Sequence, residues 1–203
     1  MLGKSMRPML WFLGSLALAL LAMPANAHVG VGETAGFWHG FTHPIGGLDH
    51  ILAMVAVGLW AAQLGGRAIW VVPTSFVAVM ILGGVLGLLG VPLPGVEPGI
   101  IASDFILGAL VLLATRIPLV PSAALVGVLA LFHGYAHGAE MPENAKAISY
   151  AVGFVVATAG LHGVGIGLAI ALKQMLSDRM VRLAGAGILL GGVYVLVNAL
   201  AGA

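Results

Sequence analysis

The chain has 203 residues, of which 61% are hydrophobic and only 7% are charged, and it contains 31 glycines. So few charges cannot cover a soluble domain, and the composition predicts an all-α integral membrane protein. A net charge of +1 offers no field for nucleic acid, and the absence of cysteine excludes disulfides and thiolate metal sites. Histidine, carboxylates and methionine remain as metal ligands.

The first 27 residues have the pattern of a secretory signal peptide. Lys4 and Arg7 precede an apolar stretch, and residues 25–27 form an Ala-Asn-Ala cleavage site. We expect cleavage there, so that the mature chain begins at His28, outside the cytoplasm. The alternative is an uncleaved first transmembrane helix, although the apolar stretch is short for a span and ends at Pro24.

Six apolar runs follow in a single transmembrane domain over residues 28–203. Each approaches the length of about 20 residues that a helix needs to cross the hydrocarbon. Glycine, proline and charged residues separate the runs. We predict spans at about 44–64, 68–90, 98–115, 119–138, 147–174 and 180–201.

The basic residues between these spans predict the orientation. Threading six spans from an external N-terminus places five of them in cytoplasmic loops and only Lys146 in an outer loop, as the positive-inside rule requires. The five are Arg67, Arg116, Lys173, Arg179 and Arg182. We therefore expect a multi-pass protein of the cytoplasmic membrane, surrounded by lipid, with its mature N-terminus on the extracytoplasmic side.

Titratable side chains open the first span. On a continuous helix His39, His43 and His50 would share one stripe, with Asp49 off it. Pro44 and the two glycines after it favour instead a broken helix or a re-entrant segment. Ionisable side chains inside a membrane are functional candidates by default.

The fourth predicted span ends in FHGYAHGAE, residues 132–140. A helix places His133, His137 and Glu140 on one face, a donor set typical of metal sites. WHGFTH at 38–43 shares the pattern aromatic-His-Gly-aromatic-x-His with FHGYAH. The two hexapeptides could come from a three-plus-three inverted repeat of the kind found in secondary transporters, or from coincidence.

Counted along the helices, the polar residues descend from the outer face toward the middle of the bilayer. The predicted metal ligands are His43, Asp49, His50, His133, His137 and Glu140. Further candidates are His28, Glu33, His39, Asp104 and His162. Each further candidate also has a structural explanation, such as an interfacial location for His39 or an ordinary polar contact for Asp104 and His162. His28 could chelate an ion through a free amine or be an arbitrary first residue.

Taken together, HPIGGLDH at 43–50 and FHGYAHGAE at 132–140, in a six-span chain with a signal peptide, resemble the HupE/UreJ family of bacterial nickel permeases. Both family motifs match without a departure. The resemblance implies uptake of Ni²⁺, or of Co²⁺, across the bacterial cytoplasmic membrane for hydrogenase or urease maturation. It also implies that the motif histidines and carboxylates are needed for transport. The metal's identity rests on the resemblance, because these ligands also suit Zn²⁺, Cu²⁺ and Fe²⁺.

The sequence favours a permease over an enzyme. It contains no phosphate-binding G-x-x-x-x-G-K-[ST] motif and no loop large enough for an ATPase domain, so we expect secondary transport without an ATPase subunit or a prosthetic group. The main alternative is an intramembrane hydrolase or hydroxylase that uses the same His/Asp cluster on Zn²⁺ or Fe and requires an activated water. A third reading is a metal sensor or a chaperone-like partner of an uptake system, which would bind metal without flux. The absence of a signalling domain disfavours it.

Overall fold

The computed structural model describes residues 36–141 and 147–202, and their regular structure is entirely helical. The signal peptide predicted at 1–27, and the candidate ligands His28 and Glu33, lie outside the described residues. Seven helices occur within the described ranges. They are α1 (Phe37–Gly46), α2 (Leu48–Leu64), α3 (Ala68–Leu88), α4 (Val96–Leu113), α5 (Leu119–Ala139), α6 (Ala147–Met175) and α7 (Asp178–Ala201).

Helices α3 to α7 are each long and apolar enough to cross a membrane. The pair formed by α1 and α2 qualifies as a sixth span if it is taken as one unit, although the two helices are bent by 84° at their junction. Most observed bounds lie close to the predicted ones, as for Leu119–Ala139 against 119–138. The first predicted span, 44–64, differs because Gly47 separates two helices within it.

The break at Gly47 follows from the residues around it. Pro44 lies in the last turn of α1, where its missing N–H removes the helical bond to the Gly40 carbonyl and weakens that turn. Gly47 adopts an extended backbone with φ −96 and ψ 122. A Cβ at Gly47 would lie 2.8 Å from Asp49 Oδ1 and 3.0 Å from His50 Nδ1, so the missing side chain leaves room for that pair. The break that the sequence predicts here is confirmed.

Helix α2 occupies the centre of the bundle. Its fully buried residues surround the helix axis, as expected for an element that is apolar on all faces. They are Ala53, Met54, Ala56, Val57, Leu59, Trp60 and Ala61. Toward its C-terminal end, Trp60 Nε1 donates to the Thr115 carbonyl at 2.9 Å and Gln63 Nε2 donates to the Val111 carbonyl at 3.0 Å. These bonds tie α2 to the C-terminal end of α4, where the Val111 carbonyl also accepts the Ala114 N–H at 3.1 Å.

Glycines bring two groups of helices into backbone contact. In the first group, α5 packs against α3, and a Cβ at Gly134 would collide with the Met80 carbonyl. In the second group, α6 packs against α1 and α2, and a Cβ at Gly165 would collide with the Val55 carbonyl. Small residues allow this close approach between helices in lipid. We refer to these groups as the α3–α5 pair and the α1–α2–α6 group.

The basic residues gather at the end of the bundle opposite the histidines. Arg67 and Arg116 border one cavity of about 370 Å³. Arg182 Nε donates to the Leu112 carbonyl at 2.8 Å. The connections α2–α3, α4–α5 and α6–α7 therefore share one end of the bundle, which the predicted orientation requires.

Candidate metal site

Four imidazole rings form a continuous row between α1, α2 and α5. The ring centroids of His43 and His137 are 4.5 Å apart, those of His137 and His50 are 4.5 Å apart, and those of His50 and His133 are 4.9 Å apart. His50, His133 and His137 are buried. Histidines that lie 83 to 94 positions apart in the sequence thus meet in one cluster, which we call the histidine row.

The motif in α5 supplies half of the histidine row. His133 and His137 are four residues apart, so one face of the helix carries both rings. The glycine after each histidine, Gly134 and Gly138, faces a backbone carbonyl of α3 with no space for a Cβ. The motif therefore places its two histidines on one face of α5 and its two glycines on the adjoining face, which packs against α3.

The motif in α1 works in the same local way. Gly40 packs against the backbone of Tyr150 in α6, and His43 reaches the ring of His137. WHGFTH lies at the start of the first helix whereas FHGYAH lies at the end of α5, so the two are not equivalent positions of matching helices. In both hexapeptides the glycine packs on a backbone carbonyl of a neighbouring helix. The three-plus-three inverted repeat stays a prediction.

The bend between α1 and α2 sets how the first-span histidines approach each other. The rings of His43 and His50 have centroids 6.4 Å apart. The single stripe that a continuous helix would give to His39, His43 and His50 is absent, because the helix axis turns by 84° between His43 and His50. Because of the bend, His43 from α1 and His50 from α2 both contact His137, and His39 does not join the row.

Asp49 holds the ring of His50. The Asp49 Oδ1 atom lies 2.8 Å from His50 Nδ1 and also accepts the His50 backbone N–H at 2.9 Å. Asp49 lies in the first turn of α2, where the helix dipole favours a negative charge. A carboxylate that accepts from Nδ1–H leaves the lone pair of His50 on Nε2.

The second nitrogen of His50 meets His137. His137 Nε2 lies 2.5 Å from His50 Nε2, a short hydrogen bond between two buried rings. Because His50 donates its Nδ1–H to Asp49, its Nε2 atom carries a lone pair. His137 Nε2–H is therefore the donor in this contact. Asp49, His50 and His137 therefore form a hydrogen-bonded chain from a carboxylate into the histidine row.

The outer end of the row carries a second carboxylate. One ligand atom from each of His43, His137 and Glu140 lies within 4.8 Å of the other two. His43 is half-buried and Glu140 is exposed, so this group is open to the surface while His137 is buried beneath it. Two imidazole nitrogens and a carboxylate oxygen suit Ni²⁺, Zn²⁺, Cu²⁺ or Fe²⁺.

Two further candidates, His39 and Asp104, are not members of the row. His39 is half-buried, with its ring 6.0 Å from that of His43 and 5.7 Å from that of Tyr150. Asp104 of α4 is fully buried, and neither of its carboxylate oxygens has a hydrogen-bond partner among the described residues. Its Cβ faces Gly192 of α7. The ordinary polar contact that was one explanation of Asp104 is therefore not found in the described part of the chain.

His162, expected as the deepest ligand, is separated from the histidine row. Its ring is buried, and both ring nitrogens lack a hydrogen-bond partner within residues 36–141 and 147–202. The aromatic ring of Phe76 contacts it at a centroid distance of 5.0 Å and also contacts His133 at 5.8 Å. The descending series of ligands predicted from depth is thus interrupted by an apolar ring.

Sequence reasoning also missed Ser103. Its hydroxyl lies 2.8 Å from His133 Nε2, and both side chains are fully buried. A serine in an apolar span usually bonds to its own helix backbone, and no motif marks this one. Only the packing of α4 on α5 identifies its partner.

Comparison with known proteins agrees with these motifs. The family model described as HupE / UreJ protein matches residues 16–195. The chain belongs to the HupE/UreJ family. It is also 49% identical over 182 residues to Protein HupE of Rhizobium leguminosarum bv. viciae, covering 89% of this chain and 95% of that protein. No solved structure matches the chain.

The family resemblance that the two motifs predict is confirmed. In this member of the HupE/UreJ family, the motifs of the first and fourth predicted spans come together as the two walls of one cluster. Asp49 and Glu140 lie at different points of that cluster, one beside His50 and the other beside His43. The ligand roles of these residues stay predictions.

Proposed function

We propose that the chain is a secondary permease that moves Ni²⁺, with Co²⁺ as a second substrate, inward across the bacterial cytoplasmic membrane to supply hydrogenase or urease maturation. The HupE/UreJ family comprises nickel and cobalt transporters of hydrogenase and urease systems. The observation that carries the proposal for this chain is the histidine row, with a carboxylate beside His50 and another beside His43, inside a bundle of membrane-length helices.

The donors suit an ion that must lose water and then move on. Neutral imidazoles replace water ligands, and the charges of Asp49 and Glu140 offset part of the divalent charge in a medium of low dielectric constant. Consecutive rings lie 4.5 to 4.9 Å apart, so the row offers an ion several incomplete sets of ligands in succession and not one complete coordination site. Conduction needs binding that is strong enough to strip water and weak enough to release the ion.

We propose that transport is facilitated diffusion, driven by the membrane potential or by trapping of the metal in the cytoplasm. A potential of about 100 mV, negative inside, favours inward movement by roughly 2.3 kcal/mol per elementary charge, and therefore by about twice that for a divalent cation. Ni²⁺ is the transported ion and not a prosthetic group.

An enzymatic reading fits the cluster less well. A catalytic zinc site gathers three protein ligands on one ion and keeps an open position for water. Here the imidazoles follow one another in a row, and His137 belongs both to the outer group with Glu140 and to the hydrogen bond with His50. Such sharing favours transfer from one set of ligands to the next.

The orientation has a direct test because the chain contains no cysteine. We expect an impermeant maleimide, added to intact cells, to label Val91→Cys in the α3–α4 connection. We expect it to label Ser177→Cys, between α6 and α7, only after permeabilisation. Both positions are exposed. The opposite labelling pattern would show that the basic end of the bundle faces outward, contrary to the positive-inside prediction.

Uptake of radioactive nickel by cells tests the function. We expect His50→Ala and His133→Ala each to lower the initial rate at least about 10-fold at equal protein levels, because each removes a nitrogen ligand from the row. Ser122→Ala, which removes a buried hydroxyl of α5 outside the row, is the matched control and should leave the rate unchanged. Undiminished uptake in both histidine variants would exclude the row as the route. Competition by Co²⁺, Zn²⁺ and Cu²⁺ in the same assay ranks the substrates.

A further inference from the structure

Ser103 of α4 makes two hydrogen-bond contacts with a single hydroxyl. Its Oγ lies 2.6 Å from the Ile100 carbonyl oxygen of the same helix and 2.8 Å from His133 Nε2 of α5. Ser103 and His133 are both fully buried, so bulk solvent reaches neither group. The direction of each bond is therefore determined by the groups themselves.

Counting protons assigns both bonds. A carbonyl oxygen only accepts, and two oxygens 2.6 Å apart repel each other unless a proton lies between them. The serine proton therefore goes to Ile100, and the Ser103 oxygen is left with lone pairs for His133. The ring must then donate from Nε2–H, which makes Nδ1 the nitrogen with the free lone pair.

The free nitrogen of His133 has no other use in the described structure. Nδ1 is buried, and no described residue forms a hydrogen bond with it. The same ring lies 4.9 Å from the ring of His50, within the histidine row. A buried lone pair without a donor is costly, which indicates a site that a cation would complete.

We propose that Ser103 is a positioning residue for His133, whose hydroxyl holds the imidazole in the Nε2–H tautomer so that Nδ1 is the nitrogen offered to the transported ion. The tautomer follows from the hydrogen bonds alone, whereas its use in transport rests on the proposed function. When one nitrogen of a histidine binds a metal, the other nitrogen generally forms a hydrogen bond to a neighbouring protein group or water. In this chain the Ser103 hydroxyl is that neighbouring group for His133.

Neighbouring histidines are then held in opposite tautomers. Asp49 fixes His50 with its proton on Nδ1 and its lone pair on Nε2. Ser103 fixes His133 with the reverse arrangement. Two fixed tautomers of opposite kind in adjacent rings constitute a specific expectation, because an unconstrained pair would populate mixtures.

The test is nitrogen NMR of the metal-free protein labelled with ¹⁵N-histidine in detergent micelles. His133 is assigned by the resonance pair that disappears in His133→Gln. We expect Nε2 to carry the proton in the wild type and in Ser122→Ala, whose buried hydroxyl contacts no imidazole. We expect Ser103→Ala to give a mixture or the Nδ1–H form, and Ser103→Thr, which keeps a hydroxyl, to restore Nε2–H. A wild-type ring protonated on Nδ1, or an unchanged tautomer in Ser103→Ala, would overturn the proposal.

Nickel uptake by the same variants tests the consequence for transport. We expect Ser103→Ala to reduce the initial rate about 10-fold, with Ser103→Thr near the wild type. A shifted tautomer with unchanged uptake would remove Ser103 from the transport route. If the wild type moved no nickel, the proposed function would fail while the tautomer measurement kept its meaning. If Ser103→Ala did not fold, the wild-type and Ser103→Thr spectra would still decide the assignment.

Discussion

Replacing His137 with glutamine is expected to reduce the initial rate of nickel uptake about 100-fold, the largest loss from any single histidine. His137 is the residue that both groups of ligands share. It lies with His43 and Glu140 at the open end of the row, and its Nε2 atom contacts His50 Nε2 in the buried part. Removing it separates the outer ligands from the inner ones, whereas losing His43 or His133 shortens the row at one end.

The control for His137→Gln is Tyr135→Phe, which removes a hydroxyl two residues earlier in α5 and leaves every imidazole in place. Glutamine has a volume close to that of histidine, so the comparison limits packing effects. Uptake by purified protein in liposomes, at matched protein content, measures both variants. A His137→Gln rate within a factor of about 3 of the control would mean that the ion bypasses the centre of the row.

Replacing Gly134 with alanine is expected to lower the free energy of unfolding by about 3 kcal/mol, because a Cβ there would enter the space of the Met80 backbone. The obstacle is a carbonyl of α3 and not the movable end of a side chain, so two helix backbones must separate to relieve it. For a chain of this size the loss corresponds to a fall of roughly 10 °C in Tm. Tryptophan fluorescence during heating in detergent micelles measures it.

Gly163→Ala is the matched control for Gly134→Ala. Gly163 lies in α6, and a Cβ there would meet no atom within 4 Å. Because alanine favours the helix over glycine by about 1 kcal/mol, this variant should be unchanged or slightly stabilised. Equal Tm values for the two variants would contradict the backbone contact between α3 and α5.

The membrane-length helices could be predicted from the sequence because bilayer thickness alone sets their length. The α6 helix, Ala147–Met175, and the α3 helix, Ala68–Leu88, begin and end within a few residues of the apolar runs at 147–174 and 68–90. Pro44 and the glycines after it also indicate the break in the first span. The 84° angle of that break could not be predicted, because it depends on how α1 packs on α6.

The part of the candidate site that comes from the two histidine motifs could be predicted from the sequence. The part that was inferred only from depth in the membrane could not. His43, His50, His133 and His137 come together as their motifs suggest. Position along a helix does not give lateral distance, however, and Phe76 lies against both His133 and His162 at that level. The contact between Ser103 and His133 could not be predicted for the same reason, since only the packing of α4 on α5 brings the serine hydroxyl to the ring.

The glycine contacts have a mechanical consequence. The α3–α5 pair carries His133 and His137, while the α1–α2–α6 group carries His43 and His50. All three ring contacts under 5 Å in the row therefore bridge the seam between the α3–α5 pair and the α1–α2–α6 group. Sliding one group against the other by a fraction of a helical turn would change all three ring distances together, so we expect a single rigid-body motion to open and close the whole row.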